Sequence, residues 1–117
     1  MLPQEAWTAR DSVQFVDVRE FYEFDAGHIE GAEHIPLRML PGRFESLDRE
    51  RPIIVVCQIG QRSALAADFL RERAFDAHNL EGGMTLWVSE GLPSVSNLGD
   101  KGDVVDGWAQ TLEDWEK

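Results

Sequence analysis

The sequence is poor in cysteine, in basic residues and in long apolar runs. Its one cysteine, Cys57, stands alone among 117 residues, which excludes an internal disulfide and favours a reducing compartment. Lys and Arg number 11 against 22 Asp and Glu, for a formal net charge of −11. Because nucleic acid and anionic lipid repel such a surface, neither is expected as a partner.

No apolar run approaches the ~20 residues that a membrane-spanning helix needs. The first residues, MLPQEAWTARDSVQF, also lack the cationic start and apolar stretch of a signal peptide. We therefore expect a soluble, cytoplasmic protein with one free thiol and no membrane partner. A chain of this length buries enough surface to fold as one domain without metal or disulfide support.

Short β-branched runs bounded by turn residues alternate with segments of helical pattern. This alternation is typical of crossover units, in which a mainly parallel sheet carries helices on both faces. The sequence therefore predicts an α/β domain. Strands are predicted at residues 13–18 (VQFVDV), 33–37 (EHIPL), 53–57 (IIVVC) and 76–80 (DAHNL), and helices at residues 19–24, 62–73 and 82–91.

Two helical segments carry more specific expectations. In the helix at 62–73 an apolar face is predicted opposite a charged one. The apolar face comprises Leu65, Ala66, Phe69 and Leu70, and the charged face comprises Asp68, Arg71 and Glu72. The segment 38–47 has a mixed pattern, and Pro41-Gly42 is expected to break it.

A composition change near residues 93–103 marks a predicted boundary between a domain at 1–96 and an acidic extension at 97–117. The extension carries six acidic residues against two lysines, and its apolar residues fall at near-helical spacing. An amphipathic helix with an acidic outer face is therefore expected. Its apolar face has two alternative covers, the chain's own domain or a protein partner, and the pattern does not choose between them.

Cys57 ends a predicted strand, and a predicted helix begins five residues later, at Arg62. Ligands of open parallel sheets bind outside the carboxyl ends of the strands, and a helix N-terminus there favours an anion. The Cys57 thiol is thus expected to ionise readily and react as a thiolate. Gly60 permits a turn that points amides inward, Arg62 offers a planar fork of donors, and Ser63 can hydrogen-bond at the mouth. The alternative is that Cys57 is a small buried apolar residue.

The stretch CQIGQRS at 57–63 resembles the active loop of single-domain rhodaneses, whose pattern is C-x-x-G-x-R-S. Further blocks similar to that family follow the same order along the chain. They are FVDVRE at 15–20, GHIEGAEHIPL at 27–37, NLEGGMTLW at 79–87 and GLP at 91–93. The resemblance covers about residues 3–95, and ordered blocks are more specific than a lone cysteine motif.

This resemblance implies a rhodanese-like fold and a sulfurtransferase activity. Cys57 would take a sulfane sulfur from thiosulfate or a protein persulfide, hold it as a persulfide, and pass it to cyanide, a thiol or a protein. No cofactor and no metal are implied. The persulfide would lie in a loop made of Gln58, Ile59, Gly60, Gln61 and Arg62, supported by Ser63.

The chain departs from the family pattern in places. Many relatives have a basic residue where Gln58 is neutral, and Ile59 adds an apolar lip. With the overall acidity, both differences predict weaker attraction for free thiosulfate, and a protein persulfide is the alternative donor. Four residues separate Cys57 from Arg62, one fewer than in the related dual-specificity phosphatases, so phosphatase activity is not expected. Ala74 stands where relatives usually have glycine after the helix, which predicts either a different helix end or some strain.

Charged residues at the end of the first strand share a sheet edge with Cys57. We expect Asp17 to support the loop from behind, and Arg19 and Glu20 either to pair with the loop or to be solvated. His28 is expected to be a hydrogen-bonded structural residue, and His34 and His78 have no partner at metal-ligand spacing. Gly82-Gly83 is interpreted as a turn into the next helix, and Trp7 and Trp87 as core residues.

A second hypothesis belongs to another class of function. The domain would then be a rhodanese-like regulatory or docking module, or a redox-sensing cysteine domain, without fast turnover. The reactive-loop motif favours the enzyme, since a docking module needs no reactive cysteine. The acidic surface and Ile59 favour a protein partner, which fits both hypotheses.

Overall fold

A sheet of four parallel strands runs through the middle of the computed structural model, which describes residues 1–97. The strand order is β2-β1-β3-β4. The strands are β1 (Gln14–Asp17), β2 (Glu33–His34), β3 (Ile53–Val56) and β4 (Ala77–Asn79). All four predicted strands are present, and β2 is the shortest because Pro36 lacks an N–H and a 3₁₀ turn begins at Leu37. Residues 98–117, which include most of the predicted acidic extension and its amphipathic helix, lie outside the described residues.

Five α-helices accompany the sheet over these residues. They are α1 (Pro3–Thr8), α2 (Phe21–Ala26), α3 (Leu40–Arg43), α4 (Gln61–Arg71) and α5 (Gly83–Ser89), with 3₁₀ turns at Leu37–Met39 and Phe44–Ser46. The sequence reasoning missed α1. Its predicted break at Pro41-Gly42 is wrong, because Pro41 lies in the first turn of α3, where a helix needs no N–H. In the part of the chain that is described, no helix combines the length and apolar content needed to cross a membrane.

The central strand β3 is apolar on both faces because helices cover both sides of the sheet. Ile53 and Val55 pack with Ala66 and Leu70 of α4 in one core. Ile54 and its neighbour Val56 pack in a second core with Met84 and Trp87 of α5. Burial of each large apolar side chain stabilises the fold by about 1.5–3 kcal/mol. The predicted arrangement of helices on both faces of a parallel sheet is confirmed.

The buried face of α4 shares Ala66 and Leu70 with the predicted apolar face, and Phe69 is partly buried against the same core. Its buried residues are Ser63, Ala66, Ala67 and Leu70, which recur every three or four residues. Leu65 is 65% exposed, because a helix with 3.6 residues per turn places it about 200° from Ser63. The prediction that Leu65 faces the core is therefore wrong.

Trp87 anchors the core beneath α5. Its ring is fully buried and meets Trp7 and Phe15 edge to face, at centroid distances of 6.0 and 5.9 Å. Its Nε1–H donates to the carbonyl of Pro93 at 2.8 Å, which satisfies the polar atom of the indole. Trp87 therefore ties the segment after α5 back to the domain, in keeping with the predicted core role of both tryptophans.

Ala74 ends the turn after α4 in a left-handed conformation, with φ of +69°. It is the one non-glycine residue with positive φ among residues 1–97. Its N–H donates to the carbonyl of Arg71, and the N–H of Phe75 reaches back to Leu70, each at 3.1 Å. The helix therefore ends as a glycine-type C-cap would, with alanine in the strained position.

Replacement of this alanine by glycine is expected to stabilise the protein. Ala74→Gly removes the clash of Cβ in a left-handed residue and should raise the free energy of unfolding by about 0.5–1 kcal/mol, measured by urea denaturation. Ala64→Gly, inside α4, is the matched control and should lower the free energy of unfolding by about 1 kcal/mol. Equal destabilisation by both substitutions would contradict the assignment of strain to Ala74.

Candidate active site at Cys57

The Cys57 sulfur lies inside a turn of its own backbone at the carboxyl end of β3. Cys57 is 1% exposed, and the N–H of Gly60 donates to its Sγ at 3.0 Å. Gly60 has φ of +102°, a conformation that glycine adopts far more readily than other residues. The positive φ lets the chain turn back over the sulfur and enter α4 directly. The loop thus brings a backbone donor and a helix N-terminus to the same atom.

Ser63 and Asn79 close the loop from the side of α4. The Ser63 Oγ lies 3.2 Å from the Cys57 Sγ and donates a short hydrogen bond to the Oδ1 of Asn79. The Asn79 Nδ2 in turn donates to the carbonyl of Gly60 at 3.2 Å. Because that carbonyl can only accept, the amide of Asn79 has one consistent orientation. The sequence reasoning missed Asn79, whose signal was a polar side chain at the end of a predicted strand.

The first turn of α5 supports the loop from below. The N–H groups of Met84 and Thr85 donate to the carbonyls of Cys57 and Gln58 at 2.9 and 3.0 Å. Gly83 has φ of +57°, and a Cβ there would overlap the same two carbonyl oxygens. Gly83 is therefore required both for its backbone angle and for close approach. The predicted turn at Gly82-Gly83 is present, but its contact with the loop was not anticipated.

Arg62 makes a two-pronged ion pair with Glu23 of α2. Its Nη1 and Nη2 donate to the two carboxylate oxygens, each at 2.8 Å. Burial alone would raise the pKa of Glu23, but the hydrogen bonds from Arg62 and the Glu20 N–H, with the charges of Arg62 and Arg19, lower that pKa below its usual 4.5. The sequence reasoning missed Glu23, whose local signal was a carboxylate three residues after Glu20 at a helix start.

The same contacts act on Arg62 in the opposite direction. The hydrogen bond to Glu23 is the main reason that the pKa of Arg62 is raised, and the charge of Cys57 adds to it. Arg62 thus lies within electrostatic reach of the sulfur while both of its Nη groups are bonded to a carboxylate. The structure places the predicted anion ligand beside the loop, but already paired.

A buried ion pair at the end of β1 contacts the loop through Gln58. Asp17 and Arg19 are both fully buried, and the Arg19 Nη2 lies 2.8 Å from the Asp17 Oδ2. The remaining donors of Arg19 reach the Gly27 carbonyl at 2.7 Å and the Gln58 Oε1 at 3.2 Å. Every side of the buried guanidinium is thus bonded, as a buried charge requires. Glu20 instead pairs with Arg38 at a solvent-exposed position.

The remaining loop residues line the opening. Gln58 is partly buried, and its Nε2 donates to the Thr85 Oγ1 at 3.2 Å. Ile59 is 57% exposed, and Gln61 is exposed at the first position of α4. An uncharged amide and an apolar side chain therefore flank the sulfur at the positions predicted for the lip.

Two of the three histidines pack against α2, and the third lies on β4. The Nδ1 of His28 lies 2.7 Å from the Phe24 carbonyl, and its ring stacks on Phe24 at 3.8 Å. His34 stacks on the same phenylalanine at 4.3 Å, and His78 lies 2.8 Å from the Asp76 carboxylate. Over residues 1–97 no three Cys, His, Asp or Glu side chains are grouped as metal ligands.

A cleft of about 440 Å³ lies elsewhere, near the start of β1, with Trp7, Arg10, Gln14, Glu30 and Arg51 among its lining residues. None of its lining residues belongs to the 57–63 loop. The hydrogen-bonded thiol of Cys57 lies at the carboxyl end of β3, and this end of a parallel sheet is where ligands bind. We therefore take the Cys57 loop, rather than this cleft, as the candidate active site.

Comparison with proteins of known sequence shows which family the chain resembles. Residues 2–90 match the rhodanese-like domain family. The chain is 40% identical over 81 residues to the thiosulfate sulfurtransferase GlpE of Shewanella oneidensis, covering 68% of this chain and 80% of that protein. It is 31% identical over 90 residues to a sulfurtransferase of Allochromatium vinosum, covering 76% of this chain and 84% of the relative.

Solved structures give the same answer for the fold. A rhodanese-related protein from Thermoplasma volcanium superposes with a TM-score of 0.79 at 30% identity, over 81% of this chain and 95% of that one. A rhodanese-like domain protein from Staphylococcus aureus gives 0.72 at 35% identity, over 79% and 93% of the two chains. With the family match over residues 2–90, these similarities show that the chain belongs to the rhodanese-like domain family.

Proposed function

We propose that the protein is a sulfurtransferase that carries a sulfane sulfur on Cys57 between a donor, thiosulfate or a persulfide, and a nucleophilic acceptor. The observation that carries the proposal is the position of the Cys57 Sγ, 3.0 Å from the Gly60 N–H in a tight turn before α4. The site holds one nucleophilic sulfur among donors suited to an anion. Two relatives named thiosulfate sulfurtransferase or sulfurtransferase support the reaction class.

In the first step the Cys57 thiolate attacks the outer sulfur of the donor. With thiosulfate, Cys57–S⁻ and S–SO₃²⁻ give Cys57–S–S⁻ and sulfite, SO₃²⁻. A new S–S bond forms as the donor S–S bond breaks, and its electron pair leaves with sulfite. Cys57 is 1% exposed, so a donor must present an unhindered terminal sulfur, as thiosulfate and persulfides do.

In the second step an acceptor nucleophile attacks the outer sulfur of the persulfide. With cyanide, Cys57–S–S⁻ and CN⁻ give Cys57–S⁻ and thiocyanate, which restores the thiolate. A thiol or a protein thiol is the acceptor class expected in the cell. Alternation between two enzyme forms predicts ping-pong kinetics. No group besides the cysteine takes part covalently.

The loop stabilises both anions without moving. The first amides of α4 have no intrahelical acceptor and carry the positive end of the helix dipole. Ser63 has one hydroxyl proton, directed at Asn79 in the structure, and rotation about its side chain turns that proton toward the sulfur. The contacts of Met84 and Thr85 keep the carbonyls of Cys57 and Gln58 turned away from the sulfur.

A redox-sensing or purely docking role has less support. A sensor cysteine commonly forms a disulfide with a resolving cysteine and is solvent-accessible. Cys57 is the single cysteine of the chain and is 1% exposed. The exposed Ile59 and the net charge of −11 fit a protein as donor or acceptor, and this agrees with a sulfur carrier.

The first test is the intact mass of reduced protein after incubation with thiosulfate. We expect a gain of one sulfur atom that cyanide reverses, and no gain in Cys57→Ser. Circular dichroism of the variant confirms that its fold is retained. If Cys57→Ser transferred sulfur at the rate of the parent, the role of Cys57 would be refuted. A cysteine that reacts with iodoacetamide but gains no sulfur from thiosulfate or from glutathione persulfide would refute the proposed activity.

Gly83 offers a test of the loop geometry. Gly83→Ala pushes a methyl group into the carbonyls of Cys57 and Gln58 and should lower the rate of persulfide formation on the order of 10²-fold by displacing the sulfur. Gly91→Ala is the matched control, because Gly91 has φ of +80° with nothing within 4 Å of a Cβ. It carries a similar backbone strain of about 1–2 kcal/mol and should leave the rate unchanged. A folded Gly83→Ala protein with full activity would contradict the proposed support of the loop.

A further inference from the structure

We infer that Glu23 determines donor specificity: by holding the guanidinium of Arg62 it disfavours doubly charged thiosulfate and favours an alkyl or protein persulfide. The inference rests on the proposed function and states which of its two classes of donor the site prefers. It starts from the geometry of the pair, in which both Nη groups of Arg62 lie 2.8 Å from Glu23.

The carboxylate is the fixed member of this pair. The Glu23 side chain is 4% exposed, whereas the Arg62 side chain is 36% exposed. Glu23 also accepts the N–H of Glu20 at 3.1 Å, so it is held from two sides. A buried carboxylate without a partner is costly. Arg62 therefore cannot turn to an incoming anion without leaving Glu23 uncompensated.

The formal charges around the sulfur then add up to a negative site. Asp17 and Arg19 cancel each other, and Glu23 and Arg62 cancel each other. The thiolate of Cys57 leaves a net charge of −1, and Gln58 adds none. Thiosulfate carries two negative charges, while the persulfide group of a donor carries at most one. The net negative charge of the site repels an anionic donor, and the repulsion is about twice as large for a donor with two charges as for a donor with one.

A persulfide meets fewer obstacles in the same site. Its terminal sulfur has no oxygen atoms that require donors, and its carbon side can contact the exposed Ile59. The step balances as Cys57–S⁻ plus R–S–SH giving Cys57–S–SH plus R–S⁻. The thiolate attacks the outer sulfur, the donor S–S bond breaks, and its electron pair leaves with the R–S⁻ thiolate. No oxidant or reductant is required.

The test compares two donors in Glu23→Gln. The substitution keeps the size of the side chain and its acceptor for the Glu20 N–H, and it frees the guanidinium. We expect the ratio of kcat/KM for thiosulfate to kcat/KM for cysteine persulfide, whose net charge is at most one negative, to rise about ten-fold, mainly through a lower KM for thiosulfate. Glu20→Gln is the control, because it removes an equal charge three residues away, where Glu20 pairs with Arg38 in solvent. An unchanged ratio in Glu23→Gln, or an equal rise in the control, would overturn the inference.

A double variant distinguishes the charge balance of the Glu23–Arg62 pair from a direct contact between Arg62 and thiosulfate. Glu23→Gln combined with Arg62→Gln replaces one neutral pair with another and should return the ratio to the parent value. If Arg62 instead contacts thiosulfate in the parent, this variant will lose thiosulfate use selectively, which would refute the inference.

A binding measurement distinguishes failure of the inference from failure of the proposed function. Thiosulfate affinity is measured by calorimetry in Cys57→Ser and in Cys57→Ser with Glu23→Gln, neither of which turns over. We expect about ten-fold tighter binding in the double variant. Equal affinities would refute the role of Glu23. Absence of a Cys57 persulfide with both donors would refute the sulfurtransferase proposal.

Discussion

The backbone from Cys57 to Gly60 points an N–H group at a sulfur three residues earlier in the chain, and such a turn cannot hold itself. Its carbonyls face outward and need donors, which the first turn of α5 provides. Its glycine carbonyl needs another donor, which Asn79 provides from the end of β4. Its first side chain, Gln58, bridges to Arg19 after β1. The sheet and helices therefore matter to the site chiefly because they bring three separate supports to one short loop.

The residues of β1 and α2 that support the loop include buried charges, and each buried charge is stabilised by a partner of opposite charge. Arg19 and Glu23 are both buried, and each would destabilise the protein strongly without its partner. Arg19 is neutralised within its own segment by Asp17, whereas Glu23 depends on Arg62 from the loop helix. The ion pair between Arg62 and Glu23 thus links α4 to α2, and a substitution of either residue leaves the charge of the other uncompensated. The lowered pKa of Glu23 reflects this dependence.

The sequence predicts the features of this fold that depend on neighbouring residues better than those that depend on residues far apart in the chain. The strands and the helix after Cys57 have local signals in the sequence and are predicted correctly. The prediction for Leu65 is wrong because it rests on the apolar character of the side chain and not on its angular position around the helix. The supports of the loop carry almost no local signal. Arg62 and Glu23 are 39 residues apart, as are Arg19 and Gln58, and Asn79 is 19 residues from Gly60. Which residues meet across such distances is decided by strand order and register, which periodicity does not reveal.

The hydrogen bond from Gly60 to the sulfur has a consequence for how tightly a transferred atom is kept. On the proposed chemistry the negative charge sits on the inner sulfur of the thiolate and on the outer sulfur of the persulfide, about 2 Å farther out. The Gly60 N–H donates to the inner sulfur, so this hydrogen bond stabilises the Cys57 thiolate more than the persulfide anion. Such a bias lowers the free energy of unloading and shortens the lifetime of the bound sulfur. If Cys57 carries sulfur as proposed, the placement of this one donor favours passing the atom on over storing it.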